Sequence, residues 1–135
     1  MTQIEDKYRL IFEQTILGSP PRKSNSRQLV YRSTADGKKP LIIKSSKALK
    51  YVEDFCTQVP SACKVKWVEK LRLDAWIFYA NVRSDLSSEM IMDCLQTAEV
   101  IKNDNQIVEQ HLYKHRDTKN PRAIIKLYII KDYIL

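Results

Sequence analysis

Hydrophobic and polar residues change their spacing several times along the chain, and these changes predict a series of strands and helices. Apolar positions recur at i, i+3, i+4, i+7 and i+8 from Ala48 to Cys56, which predicts a helix with a cap at Ser45 or Ser46. A second helix is predicted at residues 86–98. Loose alternation and short apolar runs predict strands at residues 8–16, 28–32, 41–44, 63–73, 75–82, 107–115 and 122–130.

Turn-forming residues separate these segments. The stretch G-S-P-P-R-K-S-N-S-R is expected to be a loop, A-D-G-K-K a hairpin turn longer than two residues, and D-T-K-N-P a turn. We therefore expect one domain over residues 1–135, of the α/β (α+β) class, with a mixed sheet of about five or six strands and two main helices.

Composition excludes several kinds of protein. Only two glycines occur, Gly18 and Gly37, so a glycine-rich phosphate loop is ruled out. The apolar runs are too short to span a bilayer, the first residues do not read as a signal peptide, and the three cysteines lack C-x-x-C spacing. We expect reduced thiols and a cytoplasmic location.

The positive charge is concentrated in one part of the chain. The formal net charge is +7, and residues 18–50 carry nine Lys or Arg against Asp36 alone. Such a basic lobe favours a polyanionic partner such as nucleic acid, although a basic face that only aids solubility has the same signature. Lysine and arginine contact phosphates without reading base identity. The candidate DNA-binding residues are Arg22, Lys23, Asn25 and Arg27 in the proline-stiffened loop, and Lys114 and Arg122 beside the last turn.

Acidic residues cluster in the stretch S-D-L-S-S-E-M-I-M-D-C-L-Q. On the predicted second helix, Asp85, Glu89 and Asp93 are spaced i, i+4 and i+8 and form one stripe opposite the apolar face. Like charges at this spacing weaken a helix, so we expect nearby cations or a metal ion to compensate them. A solvent-facing acidic stripe, with Asp85 as the helix N-cap, is the structural alternative.

A further carboxylate, Asp104, lies in the polar turn K-N-D-N-Q-I before the next strand. If this turn returns beside the start of the helix, oxygen ligands from Asp85, Glu89 and Asp104, with Asp93 as a further candidate, would suit Mg²⁺ or Mn²⁺.

The order of these segments resembles the RusA-type Holliday junction resolvases over residues 8–130. It comprises the early P-P-R-K-S-N-S-R loop, D-L-S-S-E-M-I-M-D-C-L-Q on a helix, and then N-D-N-Q-I before a strand. The resemblance implies a Mg²⁺-dependent endodeoxyribonuclease that acts as a homodimer. Such an enzyme cuts branched DNA, nicking opposing strands of a four-way junction. It also implies catalytic roles for Asp85 and Asp104.

The chain departs from the family pattern at two places. The family uses a D-x-D pair and a helical lysine, whereas here only Asp85 of the pair maps, and Glu89 stands where the lysine is expected. Glu89 either restores the missing carboxylate, with Lys102 or Arg83 supplying the positive charge, or marks an enzyme with weak or no activity. In the latter case the protein would be a DNA-binding accessory protein with the same fold.

Two other residue types have plainer explanations. His111 and His115 are four apart on a predicted strand, and we do not expect them to share one face as metal ligands. Trp67 and Trp76 are expected in the core, although an exposed tryptophan could stack on an unpaired base.

Overall fold

In the part of the chain that the structure describes, the fold is an α+β domain in which two helices pack on a mixed four-stranded sheet and a two-stranded hairpin forms a second sheet. It is known from a computed structural model, which describes residues 7–21, 27–81 and 83–133. The strands are β1 (Tyr8–Leu17), β2 (Arg27–Thr34), β3 (Gly37–Lys44), β4 (Leu71–Tyr79), β5 (Ile107–Arg116) and β6 (Arg122–Ile130), and the helices are α1 (Ser46–Gln58) and α2 (Glu89–Thr97).

The larger sheet has the strand order β1-β6-β4-β5. β6 pairs antiparallel with both β1 and β4, whereas β4 and β5 run parallel and are joined through α2. A parallel connection needs a crossover long enough to return the chain to the starting edge, and α2 with its two flanking loops provides it. β5 is therefore an edge strand of this sheet.

The core lies between the helices and one face of the larger sheet. In β4, every second residue from Leu71 to Tyr79 is buried against this core, as the two-residue repeat of a strand requires. From α1, Ala48, Tyr51 and Phe55 are buried, which confirms the predicted apolar stripe. The predicted cap is also confirmed, because the Ser45 hydroxyl accepts a hydrogen bond from the Ala48 amide at 3.2 Å.

The strand predicted at residues 63–73 is wrong. Residues Ser61–Cys63 form a single 3₁₀ turn, Lys66 has a positive φ of 57°, and the strand begins only at Leu71. Hydrogen bonds from the Lys66 and Trp67 amides to the carbonyls of Glu99 and Val100 bind this stretch to the loop after α2. The strand predicted at residues 75–82 is the second part of the same β4 strand.

β2 and β3 form a hairpin separate from the main sheet, so the expected single sheet is divided in two. Thr34 pairs with Gly37, which leaves a two-residue loop of Ala35 and Asp36, shorter than the sequence predicts. Gly37 has a φ of +108°, a conformation that glycine adopts without the strain of a side chain. All of β3 is exposed, so this sheet projects from the domain.

No helix among the described residues is long and apolar enough to cross a membrane. The three cysteines are free, with Cys94 buried and the other two partly buried. Burial raises the pKa of the Cys94 thiol, which keeps it in the uncharged form.

Candidate functional site

The sequence-predicted acidic residues lie on the connection between β4 and β5. This connection leaves the end of β4, passes through an irregular stretch that includes residues 83–88, forms α2, and returns through a 3₁₀ turn at Asp104–Gln106 to the start of β5. One crossover thus carries both segments that resemble the family motifs. Where each carboxylate points depends on how the two loops are held.

Asp85 precedes the second helix instead of lying on it. α2 begins at Glu89, four residues after Asp85, and its N-cap residue is Ser88. The Asp85 carbonyl accepts a hydrogen bond from the Tyr79 hydroxyl at 3.2 Å, and that hydroxyl in turn accepts one from the Ser87 amide at 3.4 Å. Burial raises the pKa of Tyr79, so its phenol remains a proton donor. The predicted helix start at residue 86 and the predicted N-cap role of Asp85 are therefore wrong, and the side chain of Asp85 is exposed.

Glu89 and Asp93 do lie on α2, one turn apart. Glu89 is the first residue of the helix, where a carboxylate is favoured by the helix dipole, and it is exposed. Asp93 forms an ion pair with Lys44 at the end of β3, with 2.8 Å between Oδ2 and Nζ. This ion pair links α2 to the hairpin, and the role of Asp93 as a metal ligand stays a prediction.

Asp104 stands on a rigid support. The side chain of Asn103 caps the 3₁₀ turn, and the Gln106 side chain accepts a hydrogen bond from the Asn103 amide at 2.7 Å. Gln106 is buried and also donates to the carbonyls of Trp67 and Glu69, at 2.7 and 3.0 Å. These bonds fix the backbone on which the exposed Asp104 is held.

The backbone at Asp104 is tied to α2 as well. Its amide donates to Oε1 of Gln96 at 3.0 Å, so Asp104 is attached near the C-terminal end of the helix that Glu89 begins. Lys102, the predicted catalytic cation, is exposed, and its amide donates to the Trp67 carbonyl at 3.1 Å.

The predicted metal cage is not formed by the described residues. Asp85, Glu89, Asp93 and Asp104 are all described, yet no group of three or more His, Cys, Asp or Glu side chains in the described part of the chain could hold a metal ion. Mg²⁺ in phosphate-processing sites is commonly held by one or two carboxylates together with substrate phosphates. Ligand roles for Asp85, Glu89 and Asp104 therefore stay predictions.

The basic lobe is built mainly from the β2–β3 hairpin. Arg22, Lys23 and Asn25 lie outside the described residues, and Arg27 begins β2, where its backbone pairs with Lys44. Beyond them, Arg32 and Lys39 face each other across the two strands, so they lie on the same side of the hairpin, and both are exposed. Lys38, opposite Ser33, is exposed on the other side.

The other two predicted DNA-binding residues, Lys114 and Arg122, differ in their accessibility. Lys114 is exposed on β5. Arg122 is engaged within the protein, because its guanidinium forms an ion pair with Asp117 at 2.9 Å and its Cζ lies 3.9 Å from the centre of the Phe78 ring. The hydrogen bond from Arg122 lowers the pKa of the Asp117 carboxyl. Contact between Arg122 and a phosphate would have to compete with these interactions.

The side of the larger sheet that faces away from the helices was not predicted from the sequence. Trp76 is predicted in the core, but it lies on the side of β4 opposite the helices and is only partly buried. His111 and His115 do share this face, contrary to prediction, since residues an even number apart on a strand point the same way. Four residues of strand separate them by about 13 Å, too far for one metal ion. Arg72, Asp74, Trp76 and Phe78 alternate with apolar residues along β4, and this alternation was the sequence signal for a second face of the strand.

No protein-family model and no curated protein sequence matches the chain. The fold and the site define an α+β domain with an exposed basic hairpin and an exposed carboxylate on a rigid turn. The likeness to RusA-type resolvases is carried by the motifs alone.

Proposed function

We propose that the protein is a divalent-metal-dependent endodeoxyribonuclease of the RusA type, which resolves four-way DNA junctions by paired nicks. The observation that carries this proposal is the mounting of Asp104. A buried glutamine with three hydrogen bonds holds the turn, and the carboxylate on that turn is exposed and forms no ion pair with a described residue. A stiffly held, accessible carboxylate is what metal-assisted phosphodiester hydrolysis requires of its catalytic groups.

The way in which the two motif segments meet supports the same proposal. Gln96, from D-C-L-Q, accepts the hydrogen bond from the amide of Asp104, from N-D-N-Q-I. Gln106, from the second segment, holds the turn through a hydrogen bond that it donates to the Trp67 carbonyl. Gln96 of the first motif and Gln106 of the second thus both help to position Asp104.

The exposed surface of the hairpin supports binding to branched DNA. Arg32 and Lys39 provide positive charge on one face of a two-stranded ribbon, an element narrow enough to enter the DNA major groove. The ribbon also exposes the apolar residues Leu29, Tyr31 and Ile42. An isolated hairpin with exposed apolar residues is only marginally stable in water. We therefore propose that a second copy of the chain covers part of it in a homodimer, and that the protein works in the cytoplasm of a bacterial or phage-infected cell.

A second candidate function is the binding of branched DNA without cleavage. The described residues form no metal-holding group of three ligands, and this observation favours it. Glu89 in the place of the family's lysine also favours this second candidate. Under this proposal the hairpin still binds DNA, but Asp104 has no catalytic role.

A junction-cleavage assay separates the two candidates. A synthetic four-way junction is incubated with the protein in Mg²⁺, in Mn²⁺ and in EDTA, and binding is measured in parallel by gel shift. The nuclease proposal predicts paired nicks with either metal ion and none in EDTA. Salt-sensitive binding that ignores added metal, with no product under any condition, would instead establish the second candidate.

A further inference from the structure

One face of the larger sheet carries aromatic and cationic side chains and is not covered by either helix. The helices pack on the face that contains Leu73, Ala75 and Ile77, so alternate residues of the strands point to the opposite side. We call this side the open face. It includes Trp76 and Phe78 of β4, Tyr113 and His115 of β5, and Arg122, Ile124 and Lys126 of β6, and Arg72, Asp74 and His111 lie farther along the same side.

Two rows of stacked side chains cross the open face. In the first row, Nζ of Lys126 lies 5.5 Å from the Trp76 ring, and the Trp76 and Tyr113 rings stack with centroids 5.2 Å apart and an interplanar angle of 13°. The second row repeats this order. Arg122 lies over Phe78, which stacks on His115 with centroids 4.7 Å apart and an angle of 17°.

Both rows end in a ring on an edge strand. β5 pairs only with β4 among the described strands, so the outer sides of Tyr113 and His115 have no neighbouring strand beside them. Tyr113 is 44% exposed, and His115 is exposed as well. The two rings are two residues apart on the strand, which spaces them by about 6.6 Å along the edge. The edge therefore presents two parallel ring faces to an incoming planar group.

The end of β5 and the turn that follows it carry a net positive formal charge. Residues 114–122 contain four cations, Lys114, Arg116, Lys119 and Arg122, against the single carboxylate Asp117, a formal charge of +3. Arg116 at the end of β5 and Lys119 in the following turn are exposed, whereas Arg122 is held by Asp117. Flat rings for stacking combined with nearby cations are the features by which proteins hold single-stranded nucleic acid without sequence preference.

We propose that the β5 edge of the open face binds single-stranded DNA, with unpaired bases stacked on Tyr113 and His115 and phosphates contacted by the exposed cations Arg116 and Lys119. Bases inside a duplex cannot offer their faces to these rings, so the surface selects unpaired nucleotides. This binding surface is separate from Asp104, and binding there needs no cleavage of DNA. Failure of the proposed nuclease activity would therefore leave this inference standing.

The test measures binding of a fluorescently labelled single-stranded oligothymidylate in EDTA by anisotropy. Tyr113→Leu removes the ring but keeps an apolar side chain, and it should weaken binding roughly 5- to 100-fold, the loss expected for one stacked base. Tyr113→Phe keeps the ring and should bind like the wild type. His115→Ala should weaken binding in the same direction as Tyr113→Leu.

Circular dichroism and thermal unfolding establish that each variant is folded, with Tyr113→Phe as the matched control. Wild-type affinity in both Tyr113→Leu and His115→Ala would overturn the proposal. So would a wild-type protein that binds duplex DNA but not the oligothymidylate. Weaker self-association of these variants, with unchanged oligonucleotide affinity, would assign the edge to a protein partner and would also overturn it.

Discussion

Tyr51 and Tyr79 belong to the same core, and they differ in the partners of their hydroxyl groups. Tyr79 donates to the Asp85 carbonyl and accepts from the Ser87 amide, whereas the buried hydroxyl of Tyr51 has no hydrogen-bond partner in the described part of the chain. Burial raises the pKa of Tyr51, so its hydroxyl stays uncharged. An uncharged hydroxyl still loses its hydrogen bonds to water when it is buried without a partner.

Replacing Tyr51 by phenylalanine should therefore stabilise the protein. Tyr51→Phe removes an unsatisfied group, and we expect the free energy of unfolding to rise by about 1 kcal/mol. Tyr79→Phe is the matched control, because it removes a hydroxyl that is hydrogen-bonded, and it should lower the free energy of unfolding by about 1 kcal/mol. Urea unfolding followed by circular dichroism measures both changes. A loss of stability in Tyr51→Phe equal to that in Tyr79→Phe would show that the Tyr51 hydroxyl is satisfied in solution.

At single residues the sequence did not predict how Asp85 and Asp104 are positioned, and their chemical roles stay predictions. Asp104 was identified from its motif, but its support by Gln106 depends on carbonyls of Trp67 and Glu69, nearly forty residues earlier in the chain. Asp85 was placed on a helix because spacing alone cannot show that Tyr79 holds the preceding loop outside it. Such contacts between distant residues are set by the fold.

Among the elements, the hairpin of β2 and β3 is the least attached to the core and the most basic. The Asp93–Lys44 ion pair ties it to α2, and otherwise it is exposed along most of its length. DNA binding by such an element is mainly electrostatic, since each cation that neutralises a phosphate releases bound counterions.

Removing two charges from the hairpin should weaken binding and reduce its salt dependence. For the double variant Arg32→Gln, Lys39→Gln, the slope of log affinity against log salt should decrease in magnitude by about 2. Arg9→Gln with Lys131→Gln makes the same charge change at exposed positions outside the hairpin and should leave the slope nearly unchanged. Junction binding titrated across salt concentrations in EDTA measures both slopes. Equal slopes in the two double variants would exclude the hairpin as the DNA contact.

The predictions for the elements succeeded where periodicity was strong and local. α1, β5 and β6 lie close to their predicted bounds, and the Ser45 cap was recognised from residue type. The stretch before β4 was misassigned because loose alternation looks the same in a strand and in a loop held by a distant backbone. Trp76 was misplaced because both sides of β4 carry apolar residues, and sequence does not show which side the helices cover.

For the whole molecule, the structure confirms the α+β class and divides the expected sheet into a core sheet and an exposed ribbon. Three separate surfaces result, namely the ribbon, the open face of the larger sheet, and the turn with Asp104. We propose that the third of these surfaces, the turn with Asp104, carries the chemistry. The mutual support of the two motif segments around Asp104 is the basis for this claim.

Junction cleavage by the Asp104→Asn variant tests whether Asp104 is catalytic. The rate of junction cleavage in Mg²⁺ is measured in single turnover for the wild type, for Asp104→Asn and for the control Asp54→Asn, an exposed carboxylate change on α1. We expect Asp104→Asn to cut at least about 100-fold more slowly than the wild type, as for loss of a catalytic group. Its junction affinity in EDTA should be equal or tighter, because one negative charge is removed. Asp54→Asn should cut at the wild-type rate. Cleavage by Asp104→Asn at the wild-type rate would show that Asp104 is not a catalytic residue.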